Sequence, residues 1–431
     1  MTRFQRTAAT AFLAAIAGSA LAAPENWTAL FSNIAGDPTA DVPGNPGLTF
    51  EPSTTSSSQL DRVYASPNGA WAIIAEVTDG IDSEESLITG NGSTLQLLVQ
   101  GGVPSPWNAS EAPGFFNDRI GINDAGQVVF VNNTDGPIDL DEVVVSFDGS
   151  TFTVEAREGD LIGAGPEAWD INMHSPSITA DGRVGFVGES LDFSAFDAGL
   201  FFDGSFILTQ GEPISGAADN YDNFDDDDVY FTNAGGFITQ GDSDAGSNDD
   251  FLSINGNIVL REGEIIPGSG FAEPIDTSGI VTIAASSAGD WIARGNNDAT
   301  EQDWLVYNGA VVATTGDAVP GTSDENYTDA SFSDTFFTMA VNGVGDYVFG
   351  ATTDAADDAA NAVIVHSSAG VVAREGDPID LDGNGLFDDD VFFDVFGNED
   401  AALTDTGELF IVARVRSGAS TSLGQALVYI Q

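Results

Sequence analysis

The residues best suited to chemistry form one acidic stretch near the C-terminus, Asp380-Leu381-Asp382-Gly383-Asn384-Gly385-Leu386-Phe387-Asp388-Asp389-Asp390. Side-chain oxygens occur at its first, third, fifth and ninth positions, and a Gly stands sixth, as in calcium-binding loops. Calcium takes about six to eight oxygen ligands, which alternate side chains around a sharp turn can supply. The stretch predicts a calcium site with ligands Asp380, Asp382, Asn384, Leu386 (through its carbonyl), Asp388 and Asp390.

This stretch also departs from the usual calcium loop. Its twelfth position is Val391, where a bidentate Glu is expected, although Asp389 or Asp390 could compensate. The flanking residues have strand-like rather than helical patterns. The alternative to a calcium site is therefore a solvated acidic turn, and a second acidic segment at residues 242–250 matches the calcium pattern less well.

Several other kinds of chemistry are excluded by composition. The chain has no Cys, and each of its 11 basic residues is Arg. Thiolate catalysis, Cys zinc sites, Schiff bases and Lys-containing phosphate loops are therefore ruled out. With 68 acidic residues, close carboxylate pairs arise from composition alone, so no catalytic residue is assigned.

The charge of the chain is strongly negative, with a formal value of −57. Such a surface repels nucleic acid and anionic lipid, and it is compatible with high ionic strength or with divalent cations. The hydrophobic fraction of 42% indicates a folded chain rather than a disordered one. We expect no nucleic-acid partner.

The N-terminus has the pattern of a signal peptide. Arg3 and Arg6 precede a short apolar run, and Ala20-Leu21-Ala22 is a small-x-small cleavage site. We expect residues 1–22 to be removed and residues 23–431 to form one domain without a membrane span. The mature protein is then secreted or periplasmic.

Two recurring motifs define the elements that must position the acidic stretch. The first, Ala156-Arg157-Glu158-Gly159-Asp160, recurs around Gly at positions 36, 101, 159, 211, 263, 316 and 376. The second is a turn followed by a strand, with Gly at positions 69, 126, 182, 235, 289, 345 and 407. Two independent motifs with one period of roughly 50–65 residues indicate seven repeats.

Each repeat has the pattern of four short strands joined by tight turns, without helical periodicity. Seven such repeats predict an all-β fold, a seven-bladed β-propeller with four-stranded antiparallel blades. The incomplete ends favour closure of the ring by the N-terminal strand, with residues 28–31 pairing beside residues 427–430 in the last blade. A linear β-solenoid is the rival fold.

The turn motif Asn123-x-x-Gly126-x-x-Val129-Phe130 is similar to the Asn-x-x-Gly-x-x-Ala-Phe tandem repeats of secreted bacterial proteins of the choice-of-anchor type. The similarity extends over nearly the whole mature chain, although Val129, Gly185 and Val348 replace the Ala. The last residues, up to Gln431, have the pattern of a strand, so we expect them to belong to the repeats rather than to a sorting tail. The resemblance implies export and a repeat fold, and it implies no activity.

These patterns favour a non-enzymatic binding or interaction module with an unidentified extracellular protein or glycan partner and with calcium as a candidate stabilising ion. The rival is an extracellular polysaccharide hydrolase or lyase that uses carboxylates at the central channel. An enzyme should show polar residues from several blades converging on one mouth, whereas a binding or structural ring should show scattered acidic residues and apolar strand interiors.

Overall fold

The computed structural model describes residues 27–52, 59–163, 167–190, 198–300, 302–328 and 335–430, without the side chains of residues 118, 225–228, 278 and 398–400. The expected signal peptide, residues 1–22, lies outside the described residues.

The regular secondary structure of the described residues is almost entirely β-strand. The first strands in chain order are β1 (Thr28–Ser32), β2 (Thr49–Phe50), β3 (Leu60–Ala65), β4 (Ala70–Thr78), β5 (Ser83–Asn91), β6 (Thr94–Val99), β7 (Pro113–Ile122), β8 (Val128–Thr134), β9 (Glu142–Phe147), β10 (Phe152–Arg157), β11 (His174–Ile178), β12 (Val184–Glu189), β13 (Ala198–Phe202) and β14 (Ser205–Thr209). Short 3-10 helices span Pro38–Ala40 and Asp358–Ala360.

The second half continues the same alternation of strand and turn. Its strands are β15 (Tyr221–Phe231), β16 (Phe237–Ser243), β17 (Phe251–Ile254), β18 (Asn257–Arg261), β19 (Ile275–Ala285), β20 (Trp291–Asn297), β21 (Asp303–Tyr307), β22 (Ala310–Thr314), β23 (Phe336–Val341), β24 (Tyr347–Thr352), β25 (Ala362–His366), β26 (Gly370–Arg374), β27 (Phe392–Leu403), β28 (Leu409–Arg416) and β29 (Ser422–Ile430).

These strands form seven antiparallel sheets around a common axis, so the predicted seven-bladed β-propeller is confirmed. Blade one is β2–β6, blades two to six are β7–β10, β11–β14, β15–β18, β19–β22 and β23–β26, and blade seven is β27–β29 with β1. Blade one departs from the four-stranded prediction because its innermost edge is shared by two strands. β3 pairs with residues 71–75 of β4, and β2 pairs with residues 77 and 78.

The N-terminal strand closes the ring, as the sequence predicts. In β1, Thr28 lies opposite Tyr429 and Phe31 lies opposite Leu427, both in β29. Blade seven therefore combines strands from the two ends of the chain, and the free edge of β29 is covered.

The turn motif has a common hydrogen-bonding role in all seven blades. Three residues before each turn Gly, a side-chain oxygen accepts a hydrogen bond from the backbone N–H four residues further on. The acceptors are Ser66, Asn123, Thr179, Thr232, Ser286, Asn342 and Thr404. Each turn Gly has a positive φ, which favours Gly there. The motif therefore encodes the turn between the first and second strands of each blade.

The hydrophobic core lies between neighbouring blades. Ala72 and Ile74 of blade one pack with Phe116 and Phe130 of blade two, and the other interfaces follow the same plan. Apolar residues in the second and third strands are buried on both sides of the sheet, so blades can stack around the axis.

The recurring Arg residues tie strands to connecting segments. The guanidinium of Arg157 binds Glu111 at 2.9 Å, and those of Arg261 and Arg374 bind Asp219 and Glu325 at 2.6 and 2.7 Å. Each partner precedes the first strand of the same blade, so it is a distant carboxylate rather than the acidic residue next in sequence. These contacts therefore fasten the outer strand of a blade to the segment that enters it.

Candidate functional site

The acidic stretch predicted to bind calcium forms an exposed turn before β27, which we call the latch loop (residues 380–390). Asp380 is 3% exposed, whereas Asp382 is exposed and Asp389 is half-buried. One carboxylate oxygen from each of these three residues lies within 4.8 Å of the others. The loop therefore brings three hard oxygen ligands together, as a calcium ion requires.

The other predicted ligands are distributed differently. The Asn384 side chain lies beside the group and donates to Asp382 Oδ2 at 2.9 Å. Leu386 and Asp388 are exposed, and Asp388 is outside the three-carboxylate group. Asp390 faces the opposite segment, where its carboxylate accepts a hydrogen bond from the Gly418 N–H at 3.1 Å. Asp389 takes the position that sequence spacing assigns to Asp388.

Backbone hydrogen bonds hold the latch loop in shape. Asp380 Oδ1 accepts from the Asn384 N–H at 3.1 Å, and Oδ2 accepts from the Gly385 N–H at 2.8 Å. Asp389 Oδ2 accepts from the Leu381 N–H at 2.8 Å. A carboxylate oxygen has more than one lone pair, so these contacts leave capacity for a cation.

The latch loop is joined directly to the strand that closes the ring. The Ala29 N–H donates to the Asp380 carbonyl at 3.0 Å, and the Asp380 N–H donates to the Trp27 carbonyl at 2.9 Å. Trp27 is buried, and its indole N–H donates to the Val372 carbonyl at 3.0 Å. An ion that orders Asp380 would therefore also order the start of β1.

A second concave feature, the turn mouth, lies where the first turns of all seven blades meet at one end of the axis. It encloses about 150 Å³, and its lining includes Asn123, Asn233, Asn342 and Asp405 from four different blades. Arg119 contributes to its floor and stacks on the Tyr230 ring at 3.8 Å. Polar side chains from several blades thus do converge on one mouth.

The polar groups of the turn mouth are engaged in joining neighbouring turns. The Asn123 amide donates to the Thr179 carbonyl at 2.9 Å, and Asn342 donates to the Thr404 carbonyl at 3.0 Å. The Asp405 carboxylate accepts from the Gly343 N–H. Further contacts of this kind link Asn68 to Asp124, Ala180 to Asn233, Asn233 to Ser287 and Asp405 to Pro67. These contacts therefore link the first turns of neighbouring blades around the mouth.

Blade two contains a buried carboxylate with an unusual pKa. Glu142 is 3% exposed, and its Oε2 accepts a hydrogen bond from the Met173 N–H at 2.7 Å. Burial chiefly, together with the nearby charges of Glu158 and Asp141, raises the pKa of Glu142 to about 7. A raised pKa at a carboxylate means that the folded state disfavours its charged form.

The substitution Glu142→Gln should therefore stabilise the protein at pH 8 but not at pH 4. In the wild type, ionised Glu142 lowers the stability of the folded state. This cost is absent below the unfolded pKa near 4.5, grows as pH rises toward 7, and is constant above that value. We expect a gain of up to about 3 kcal/mol in the free energy of unfolding at pH 8. Denaturant unfolding at the two pH values measures it; equal stability of the two proteins at pH 8 would show that Glu142 carries no such penalty.

Comparison with known proteins identifies a family and remote structural similarities. A model of DUF7453, a family of unknown function, matches residues 67–429. No curated protein matches the sequence. The β-propeller domain of the Trilobed protease from Pyrococcus furiosus is 7% identical with a TM-score of 0.43, covering 85% of this chain and 93% of that one. The polysaccharide lyase Uly1 is 12% identical with a TM-score of 0.43, covering 95% and 97%. These similarities are too remote to assign an activity.

Among the described residues, none belongs to a helix long and apolar enough to cross a bilayer.

Proposed function

Because the chain belongs to this family of unknown function, DUF7453, we propose its function from the molecule itself: an exported, calcium-stabilised propeller that acts as a non-enzymatic binding module. The observation that carries the proposal is the latch loop, which groups the carboxylates of Asp380, Asp382 and Asp389 beside the closing strand. Calcium bound there would neutralise the crowded carboxylates and fasten the two ends of the ring.

A binding role, rather than catalysis, is supported by the state of the polar groups at the turn mouth. Asn123, Asn342 and Asp405 converge there, but their side chains hold neighbouring turns together. General acid–base catalysis requires a titratable group that can reach the substrate and exchange a proton. The ring is thus suited to present loops on a rigid scaffold to a protein or glycan partner.

Export is part of the proposal and rests on the sequence. Arg3, Arg6 and the Ala20-Leu21-Ala22 site have the signal-peptide pattern, and the repeats resemble those of secreted bacterial proteins. A calcium-dependent latch suits that location, since extracellular modules bind calcium with dissociation constants of about 10⁻⁴–10⁻³ M.

Thermal unfolding with calcium and with chelator, at fixed ionic strength, tests the proposal. Calcium bound in the latch loop should stabilise the wild-type protein by about 2.7 kcal/mol when its concentration is a hundredfold above the dissociation constant of that site. Asp382→Ala should remove the stabilisation attributable to the latch loop. Magnesium should substitute poorly, because it requires a smaller and stricter octahedron.

A control variant distinguishes the two possible ligand sets. Asp388→Ala should keep the calcium effect if Asp389 is the ligand, since Asp388 lies outside the grouped carboxylates. The same unfolding temperature for wild type and Asp382→Ala, both with calcium and with chelator, would identify the loop as an ordinary acidic turn.

A further inference from the structure

Blade four contains a second group of acidic side chains, far from the latch loop in sequence, which we call the blade-four acid cluster (Asp242, Asp249, Asp250 and Glu262). Ligand oxygens of Asp249, Asp250 and Glu262 all lie within 4.8 Å of one another. Asp242 lies beside the same group, because it follows Gly241, which is opposite Phe251, and its side chain contacts that of Asp250. The cluster therefore combines residues from three neighbouring strand ends.

The sheet register explains why these acids meet. Gly241 lies opposite Phe251, and Phe251 lies opposite Arg261, so the next residues in this row are Asp242, Asp250 and Glu262. The Glu262 N–H donates to the Asp250 carbonyl at 3.1 Å, which extends the ladder to this row. Residues directly opposite one another in antiparallel strands direct their side chains to the same face.

Glu262 supplies an independent indication of a missing partner. Its side chain is 2% exposed, and its Oε1 is buried without a hydrogen-bond partner in the described structure. Its other oxygen, Oε2, has a long contact of 3.4 Å with the Asp250 N–H, and the Gly279 backbone also lies within hydrogen-bonding reach of the carboxylate. A buried unpartnered carboxylate oxygen is costly, and a bound cation is one of the few partners that removes the cost.

The surrounding charges leave the cluster negative. The guanidinium of the adjacent Arg261 is committed elsewhere, to Asp219 at 2.6 Å and to Ser243 Oγ at 3.0 Å. Asp242, Asp249 and Asp250 are half-buried, and residues 244–248 between them are exposed.

We propose that the blade-four acid cluster is a second divalent-cation site, with Asp242, Asp249, Asp250 and Glu262 as its ligands and calcium as the preferred ion. The grouped oxygens of Asp249, Asp250 and Glu262 are hard ligands of the kind that calcium prefers, and carboxylates can bind calcium through one or both oxygens. The site differs from a linear calcium-binding loop because one ligand, Glu262, follows β18 and is not part of residues 242–250. It does not depend on the function proposed for the latch loop.

Asp244 separates this site from a simple loop site in the same segment. If residues 242–250 formed a linear calcium-binding loop, Asp244 would be one of its ligands. Its carboxylate instead accepts hydrogen bonds from the Asn220 N–H at 2.9 Å and from the Asn220 side-chain amide at 2.8 Å. Asp244 is exposed and lies outside the grouped oxygens. The variant Asp244→Asn is therefore a matched control for Glu262→Gln.

Calorimetric titration of the full chain with calcium, at fixed ionic strength, tests the proposal. With both sites functional, the wild type binds two ions, Glu262→Gln and Asp382→Ala each bind one, and the double variant binds none. Asp244→Asn retains both. Circular dichroism of each variant shows whether it is folded, and Asp250→Asn repeats the test if Glu262→Gln is not.

Outcomes at the two sites are distinguishable. Loss of one binding event in Glu262→Gln but not in Asp382→Ala supports the blade-four site and counts against the latch loop. An unchanged number of ions in both folded Glu262→Gln and folded Asp250→Asn overturns the second site; the cluster would then be an acid pair that shares a proton.

Discussion

Replacing Phe31 by Ala lowers the free energy of unfolding by about 3–5 kcal/mol, the range for a fully buried Phe. Phe31 is 1% exposed, and its ring stacks on Phe50 at a centroid distance of 4.4 Å and lies 6.1 Å from Trp71. It belongs to the N-terminal strand but packs at the interface between blades seven and one. Its removal therefore opens a cavity at the seam of the ring.

Denaturant unfolding of Phe31→Ala beside Phe115→Ala measures this effect. Phe115 lies in β7 and is 57% exposed, so its truncation should change stability by no more than about 0.5 kcal/mol. Similar small losses in both variants would show that β1 contributes little to the closed ring.

Replacing Gly295 by Ala should destabilise the protein by about 3 kcal/mol, at the upper end of the range for overpacking. A Cβ at this position would overlap the Gly279 carbonyl oxygen and the ring of Trp304. β19 approaches Gly295 closely because it bulges between Ile275 and Ile280, whose partners in β20 are Asn297 and Gly295. Backbone on one side and a fully buried ring on the other leave little room for relaxation.

Gly136→Ala is the matched control for that substitution. Its Cβ would meet Thr134 Oγ1 at 3.1 Å, a contact that a side-chain rotation can relieve. Thermal unfolding of the two variants should show a large loss for Gly295→Ala and a small one for Gly136→Ala. Equal unfolding temperatures would mean that the inner strand of blade five moves aside at little cost.

The sequence was sufficient to predict the repeat number and the closure of the ring. Gly126 and its equivalents need positive φ, and Asn123 and its equivalents supply a side-chain acceptor, so local turn chemistry recurs in a recognisable pattern. The pairing of residues 28–32 with β29 followed because a propeller with one unpaired strand at each end has a simple way to close.

The inner strands could not be predicted in the same way. β15 contains an irregularity between Phe224 and Val229, and β27 contains one between Phe396 and Ala401. These first strands pack against the first strands of neighbouring blades, which are distant in sequence. Periodicity within one strand carries no information about that packing.

Candidate sites were predictable only to the extent that their ligands are local. Asp380 and Asp382 were assigned from spacing, and the structure groups them with Asp389 rather than Asp388 because of the path of the turn. Glu262 joins an acidic segment from another strand, and only the register between strands reveals it. In the sequence, Glu262 is visible only as the Glu that follows Arg in the repeat motif. That pattern does not indicate which acidic residues lie beside it.

The most direct measurement of the central claim is a crystal structure of the mature protein grown with calcium, with anomalous scattering to identify the ion. The account predicts an ion in the latch loop with oxygens of Asp380, Asp382 and Asp389 about 2.3–2.6 Å away, and β1 paired with β29 beside it. A latch loop that holds only water at saturating calcium, with the same carboxylate positions, would contradict the account.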